Sequence, residues 1–159
     1  PMNGRPPSAD AETSRRMMRV RRRDTKPELA LRSLVHRLGL RYAIDRKPLP
    51  HLGRRADLVF RSAKVAVFVD GCFWHACPRH MTWPKNNGKW WREKIRRNQD
   101  RDRDTDTVLQ RYGWISIRVW QHEEPADAAN RVARVVRRRR KQLAPSGSKV
   151  GKPSGKQLR

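Results

Sequence analysis

The stretch Asp70-Gly-Cys-Phe-Trp-His-Ala-Cys-Pro-Arg-His80 concentrates more chemistry than any other part of this sequence. Cys72, Cys77 and His80 follow a C-x4-C-x2-H spacing, three soft or borderline donors that together suit a tetrahedral zinc ion. A closed structural site takes four ligands. The candidates for the fourth are His122, beyond the last apolar alternating run, and His75, inside the loop itself. We assign His122 to zinc, because a strand running beside the one that ends at Val69 would return His122 to the same edge. The other reading puts His75 in that place. If His75 is not a ligand, a metal-stapled loop can hold its imidazole rigidly enough to take a proton from water at neutral pH.

Asp57 is the second chemical signal. Asp is depleted in strands, yet here it stands in the apolar run Ala56-Asp-Leu-Val-Phe60. A carboxylate so placed calls for a cation, either a neighbouring arginine in a structural ion pair or a Mg²⁺ ion held by hard oxygen donors. Glu28 and Asp102 are further acids on helical stripes, Glu28 with Leu31, Val35 and Leu38, and Asp102 with Ile95, Asn98, Thr105 and Leu109. Both face inward. Glu28 also completes a capping box with Thr25, and Asp102 has Arg97, Arg101 and Arg103 nearby as ion-pair partners.

These residues must be carried by a framework, and the pattern supplies one. Residues 25–38 form a helix stopped by Gly39, and a loop follows with Pro48, Pro50 and Gly53. Ala56–Phe60 and Val65–Val69 read as strands joined by a short turn around Ser62. The second is apolar on both faces, which predicts a central strand. Residues 89–111 are helical, Ile115–Trp120 alternates as a third strand, and a last amphipathic helix carries Ala129, Val132, Ala133 and Val136. The order α-β-β-α-β-α predicts a small mixed α/β sheet flanked by helices.

The 159 residues include 39 Lys and Arg against 15 Asp and Glu, a formal net charge of +24 that excludes a partner of the same sign. Residues 1–23, with Arg19 in a basic run, read as a flexible cationic arm, 24–143 as the folded domain, and 144–159 as a disordered basic tail. No run of apolar residues is long enough to span a bilayer, and no secretory h-region opens the chain, so no membrane partner and a cytoplasmic, nucleoid-associated location are expected. Phe73-Trp74 and Trp90-Trp91 are adjacent aromatic pairs that cannot all point inward. With Lys85, Lys89, Arg92, Lys94, Arg96 and Arg97 around them, they read as a DNA face on which bases stack or base-pair steps are wedged.

From Thr13 to about Glu123 the sequence resembles the very short patch repair (Vsr) endonucleases, which nick DNA at T:G mismatches. The resemblance rests on Asp24-Thr25 with Glu28, Arg55-Ala-Asp57, Phe68-Val-Asp-Gly-Cys-Phe-Trp-His75, Trp90-Trp91-Arg-Glu-Lys94, Asn98, Arg101-Asp102, Gly113-Trp114 and Val119-Trp120. It implies a restriction-endonuclease-like fold of the PD-(D/E)XK type with a structural zinc site. It further implies a catalytic Mg²⁺ held by Asp57 and the carbonyl of Val69, His75 as general base, and supporting roles for Glu28 and Asp102. Phe73, Trp74 and Trp91 would enter the duplex beside the mispair, with Trp90, Lys94 and Arg19 also on DNA. The implied partner is double-stranded DNA with a T:G mismatch, acted on by a monomer, with mismatch-repair proteins as candidate recruiters. Two rivals remain at this stage: a related nuclease with another lesion or site preference, and a non-catalytic zinc-containing nucleic-acid-binding protein.

Overall fold

In the computed structural model, residues 24–144 are described. Arg19, the arm 1–23 and the tail from residue 145 onward lie outside them. The elements in chain order are α1 (Lys26–Arg37), β1 (Ala43–Arg46), β2 (Ala56–Phe60), a 3₁₀ turn (Arg61–Ala63), β3 (Val65–Asp70), α2 (Gly88–Arg111), β4 (Ile115–Trp120) and α3 (Pro125–Leu143).

The four strands form one mixed sheet in the order β1-β2-β3-β4. β1 and β2 pair antiparallel, as do β2 and β3, whereas β3 and β4 run parallel across the α2 connection. β3 is therefore a central strand, in keeping with its two apolar faces. The turn around Ser62 closes with Lys64 in the left-handed region at φ 49°. β1 is the element that the periodicity does not predict. It is a four-residue edge strand whose sequence Ala-Ile-Asp-Arg leaves alternate residues exposed, and Asp45 within it has a positive φ.

Two cores sandwich the sheet. On one face Leu31 and Val35 of α1 and Ala129, Val132 and Val136 of α3 cover Leu58, Phe60, Val65, Val67, Ile117 and Val119. On the other, Leu49 and Leu52 from the Pro-rich loop join Leu109 and Trp114 over Val59, Ala66 and Phe68. Alternation along β3 thus sends Val65 and Val67 to the α1/α3 side and Ala66 and Phe68 to the α2 side. Asp70, next in the second series, lies on the α2 side and is buried. The mixed four-stranded sheet flanked by three helices fits a restriction-endonuclease-like fold. Among the described residues no helix is long and apolar enough to cross a membrane.

Candidate active site and Cys/His cluster

The site is built at the C-terminal end of β3. The β2–β3 ladder pairs Leu58 with Val67 and stops there. Beyond it the Asp57 carboxylate takes over as acceptor, with the Val69 amide donating to Oδ2 at 2.7 Å. Among the described residues no ion pair joins Asp57 to an arginine. Burial pushes Asp57 up to about 6, although the Val69 N–H opposes this, and the negative charges of Glu28 and Asp70 add to the rise. Arg32, paired with Glu28, opposes the rise from a distance, and a partly buried carboxylate pushed up in this way is one that a hard cation stabilises.

Glu28 is buried at the start of α1. Its carboxylate accepts from the Asp24 amide and the Thr25 hydroxyl, each at 2.9 Å, and from Arg32 at 3.2 Å. The capping box is thus not realised. Glu28 reaches back one residue too far, to the Asp24 amide, and the Thr25 hydroxyl donates to Glu28 and caps no helix N–H.

His75 is held from α2. Its Nδ1 lies 2.5 Å from Oδ2 of Asp102 and 3.6 Å from Oδ1 of Asp70. An ionised carboxylate can only accept, so the proton of this contact belongs to Nδ1, and in the neutral imidazole Nε2 is left as the open acceptor. Burial acts to raise the Asp102 carboxyl, but the His75 hydrogen bond and charge, backed by Arg118, hold it below the ordinary carboxylate range. The arginines flanking Asp102 in sequence point elsewhere: Arg103 to Asp100 at 2.7 Å and Arg101 to Asn98 at 3.4 Å. Its partners come from the loop and the sheet instead.

Cys72, Cys77, His80 and His122 meet beside this site, their ligand atoms all within 4.8 Å of one another. The parallel register explains why. Asp70 pairs with Trp120, and the Gln121 amide then donates to the Asp70 carbonyl at 3.0 Å, so that Cys72 and His122 leave the sheet side by side. His122 Nδ1 is 3.1 Å from Cys72 Sγ and 3.6 Å from Cys77 Sγ, and His80 Nδ1 is 3.7 Å from Cys77 Sγ. Zn–S and Zn–N bonds at a tetrahedral angle would separate sulfur from nitrogen by about 3.6 Å. Burial acts to raise the Cys77 thiol, but the N–H groups of Arg79 and His80 directed at its sulfur hold it below the usual thiol range. Cys72 is raised by burial and by the second thiol. His75 is outside the cluster. Ala76, at φ 52°, turns the chain between His75 and Cys77, whose amide returns to the Cys72 carbonyl at 2.9 Å.

The aromatic side chains form an edge-to-face cluster rather than a fringe. Phe73 and Trp74 lie 5.1 and 5.8 Å from Trp91, and Trp90 lies 4.8 Å from it, measured between ring centroids. Trp91 is buried, while Phe73, Trp74 and Trp90 are half-exposed and Lys94 is exposed. Asn98 fixes the loop by donating to the Trp74 carbonyl at 2.9 Å. Two site residues were not predicted from sequence, Asp70 and Arg118. One charged residue in each of the otherwise apolar or neutral strands β3 and β4 is the signal that would have marked them.

A mixed sheet with acids, an oriented imidazole and a Cys/His cluster gathered at one end fits the restriction-endonuclease-like class. The profile of the family described as DNA mismatch endonuclease Vsr matches residues 8–80. The chain is 48% identical over 135 residues to the type II nicking enzyme V.NaeI of Lentzea aerocolonigenes, covering 82% of this chain and 78% of that protein. It is 41% identical over 109 residues to V.XorIIP, a type II nicking enzyme of Xanthomonas oryzae, at 67% and 77% coverage. Against DNA mismatch endonuclease Vsr of Escherichia coli the identity is 34% over 115 residues, covering 70% of each. The chain belongs to the Vsr family and is a DNA endonuclease, a hydrolase of phosphodiester bonds.

Proposed function

We propose that this endonuclease nicks one strand of a DNA duplex 5′ to the mispaired thymine of a T:G mismatch, in a Mg²⁺-dependent reaction that leaves a 5′-phosphate. One observation carries the reading. Two consecutive residues of β3 join the acid to the imidazole: Val69 donates to Asp57, and Asp70 stands 3.6 Å from His75.

Asp57 and the Val69 carbonyl would hold Mg²⁺, since the C=O of an extended residue faces the same edge as its own N–H, and that N–H is on Asp57. When bound, Mg²⁺ would neutralise charge developing on the scissile phosphate and the leaving oxygen. The protein's own groups do the rest. Asp102 fixes the Nδ1–H tautomer of His75, so that Nε2 accepts the proton of the attacking water. Glu28 adds negative charge beside Asp57, and Arg32 holds Glu28 in place. The cluster Cys72, Cys77, His80 and His122 would bind a structural zinc ion, which staples the loop carrying His75. Phe73 and Trp74, backed by buried Trp91, would stand against the mispair, with Trp90, Lys94 and Arg19 on the surrounding duplex. Mismatch-repair proteins are candidate partners, and a monomer is the expected acting form.

A panel of duplexes with T:G, other mispairs or full pairing, incubated with and without Mg²⁺, tests the reading. Nicking confined to T:G and to Mg²⁺ supports it. Equal nicking of matched DNA assigns another site preference, and binding without cleavage assigns a non-catalytic role.

A further inference from the structure

Two carboxylates face one nitrogen of His75, and a single guanidinium lies behind both. Nδ1 of His75 can give its proton to only one acceptor, and Asp102 at 2.5 Å has it while Asp70 waits at 3.6 Å. Arg118, on β4, reaches each of them. Its NH1 is 3.1 Å from both Asp70 oxygens and 3.3 Å from Oδ1 of Asp102, and its NH2 donates to the Asp102 main-chain carbonyl at 3.2 Å. The fork itself is oriented from α2, where Asp106 accepts from Nε and NH2, both at 3.2 Å. The Phe68 ring lies against the guanidinium, its centroid 4.8 Å from Cζ.

We propose that Arg118 is a positioning residue of the nuclease reaction: anchored by Asp106, it engages Asp70 and bridges it to Asp102, so that Asp102 alone accepts the hydrogen bond from Nδ1 of His75. The inference rests on the reading of His75 as general base. Its logic is geometric. Arg118 uses its donors on three carboxylates and a carbonyl that lie on two different elements, β3 and α2, and so sets the distance between them. A lysine offers one compact ammonium in place of the planar fork, and can satisfy either Asp70 or Asp102 while losing the two-point hold on Asp106. Without the guanidinium, Asp70 becomes a competitor for the same Nδ1, and the Nε2 lone pair loses its fixed aim at the substrate.

The test uses the full chain carrying Arg118→Gln, Arg118→Lys or Asp106→Asn, each compared with wild type and His75→Ala on the T:G duplex with Mg²⁺. Single-turnover nicking rate, duplex affinity and the His75 tautomer by ¹⁵N NMR are read together. The expected result is a rate about a hundredfold lower for Arg118→Gln with unchanged duplex affinity, and about tenfold recovered by Arg118→Lys. Asp106→Asn, which leaves Arg118 in place, should lose about tenfold in rate and carries the test if Arg118→Gln does not fold. In wild type and in Arg118→Gln alike His75 should be the Nδ1–H tautomer, since either carboxylate accepts that proton, but the Nδ1–H resonance should shift in Arg118→Gln as Asp70 competes with Asp102 for it. Wild-type rates in Arg118→Gln or Asp106→Asn, or a loss confined to duplex affinity, would overturn the proposal. If His75→Ala nicks at the wild-type rate, the general-base reading fails first. If His75→Ala is inactive while Arg118→Gln is fully active, only the role of Arg118 falls.

Discussion

Oδ2 of Asp102, on α2, lies 2.5 Å from Nδ1 of His75, in the loop after β3, although the two are 27 residues apart in the chain. The contact sets which nitrogen of the imidazole faces outward, and that choice decides whether His75 can accept a proton.

Asp102→Asn should therefore leave the fold and DNA affinity intact while lowering the nicking rate by about 10²–10⁴, since the amide can present its NH₂ to Nδ1 and favour the opposite tautomer. Single-turnover kinetics measure this. A variant with a wild-type rate would separate the Asp102–His75 contact from catalysis.

The Cys/His cluster predicts a division between the two histidines considered for the fourth ligand position. Cys72→Ser and His122→Ala should each lose bound zinc and melt at lower temperature, because metal binding here is coupled to folding of the loop. His75→Ala should keep its zinc and lose nicking. Metal content by mass spectrometry reads both, and zinc lost from His75→Ala would move that residue into the ligand set.

Asp57 predicts an unusual pH dependence of stability in metal-free protein. Its folded-state pKa of about 6 lies above the ordinary 3.8, so the folded chain binds more protons than the unfolded one between these values. Stability contributed by this group is then present below about pH 4 and lost as pH rises through about 6. Asp57→Asn removes the cost, and should raise stability by roughly 2 kcal/mol above pH 7 and by almost nothing near pH 4. Denaturant melts at the two pH values measure it. Equal effects at both would show that burial does not strain the ionised carboxylate.

The aromatic cluster predicts that its members separate by role. Trp91 is only 4% exposed, so Trp91→Ala should cost about 3–5 kcal/mol of stability. Phe73→Ala and Trp74→Ala, at half-exposed positions, should cost less stability and instead reduce the preference for mispaired over matched duplex. Melting curves and competition binding distinguish the two. Discrimination undiminished in both loop variants would remove these rings from mismatch recognition.

The parts of the fold legible in the sequence are those whose burial is one-sided or complete. β2, β3, β4 and the three helices stand where periodicity puts them, and the Cys/His spacing foretells the cluster. β1 escaped because an edge strand with alternate residues exposed has neither an apolar run nor a regular alternation of polarity. Asp70 and Arg118 escaped for a different reason. Their pairing depends on the parallel register that sets Phe68 beside Arg118 and Asp70 beside Trp120, and register between strands separated by a long helix leaves no local trace. Asp102 was legible as an inward acid, but its partner was not, because arginines nearer in sequence offered themselves while the fold supplied His75 and Arg118.

The central claim, that Asp57 and His75 serve one Mg²⁺-dependent hydrolysis, is tested most directly by strand-break assays on a T:G duplex with wild type, Asp57→Ala and His75→Ala, with and without Mg²⁺. The account predicts a single nick 5′ to the thymine from wild type with Mg²⁺ alone, and duplex binding without nicking from both variants. Nicking retained by either variant, or by wild type stripped of divalent ions, would contradict it.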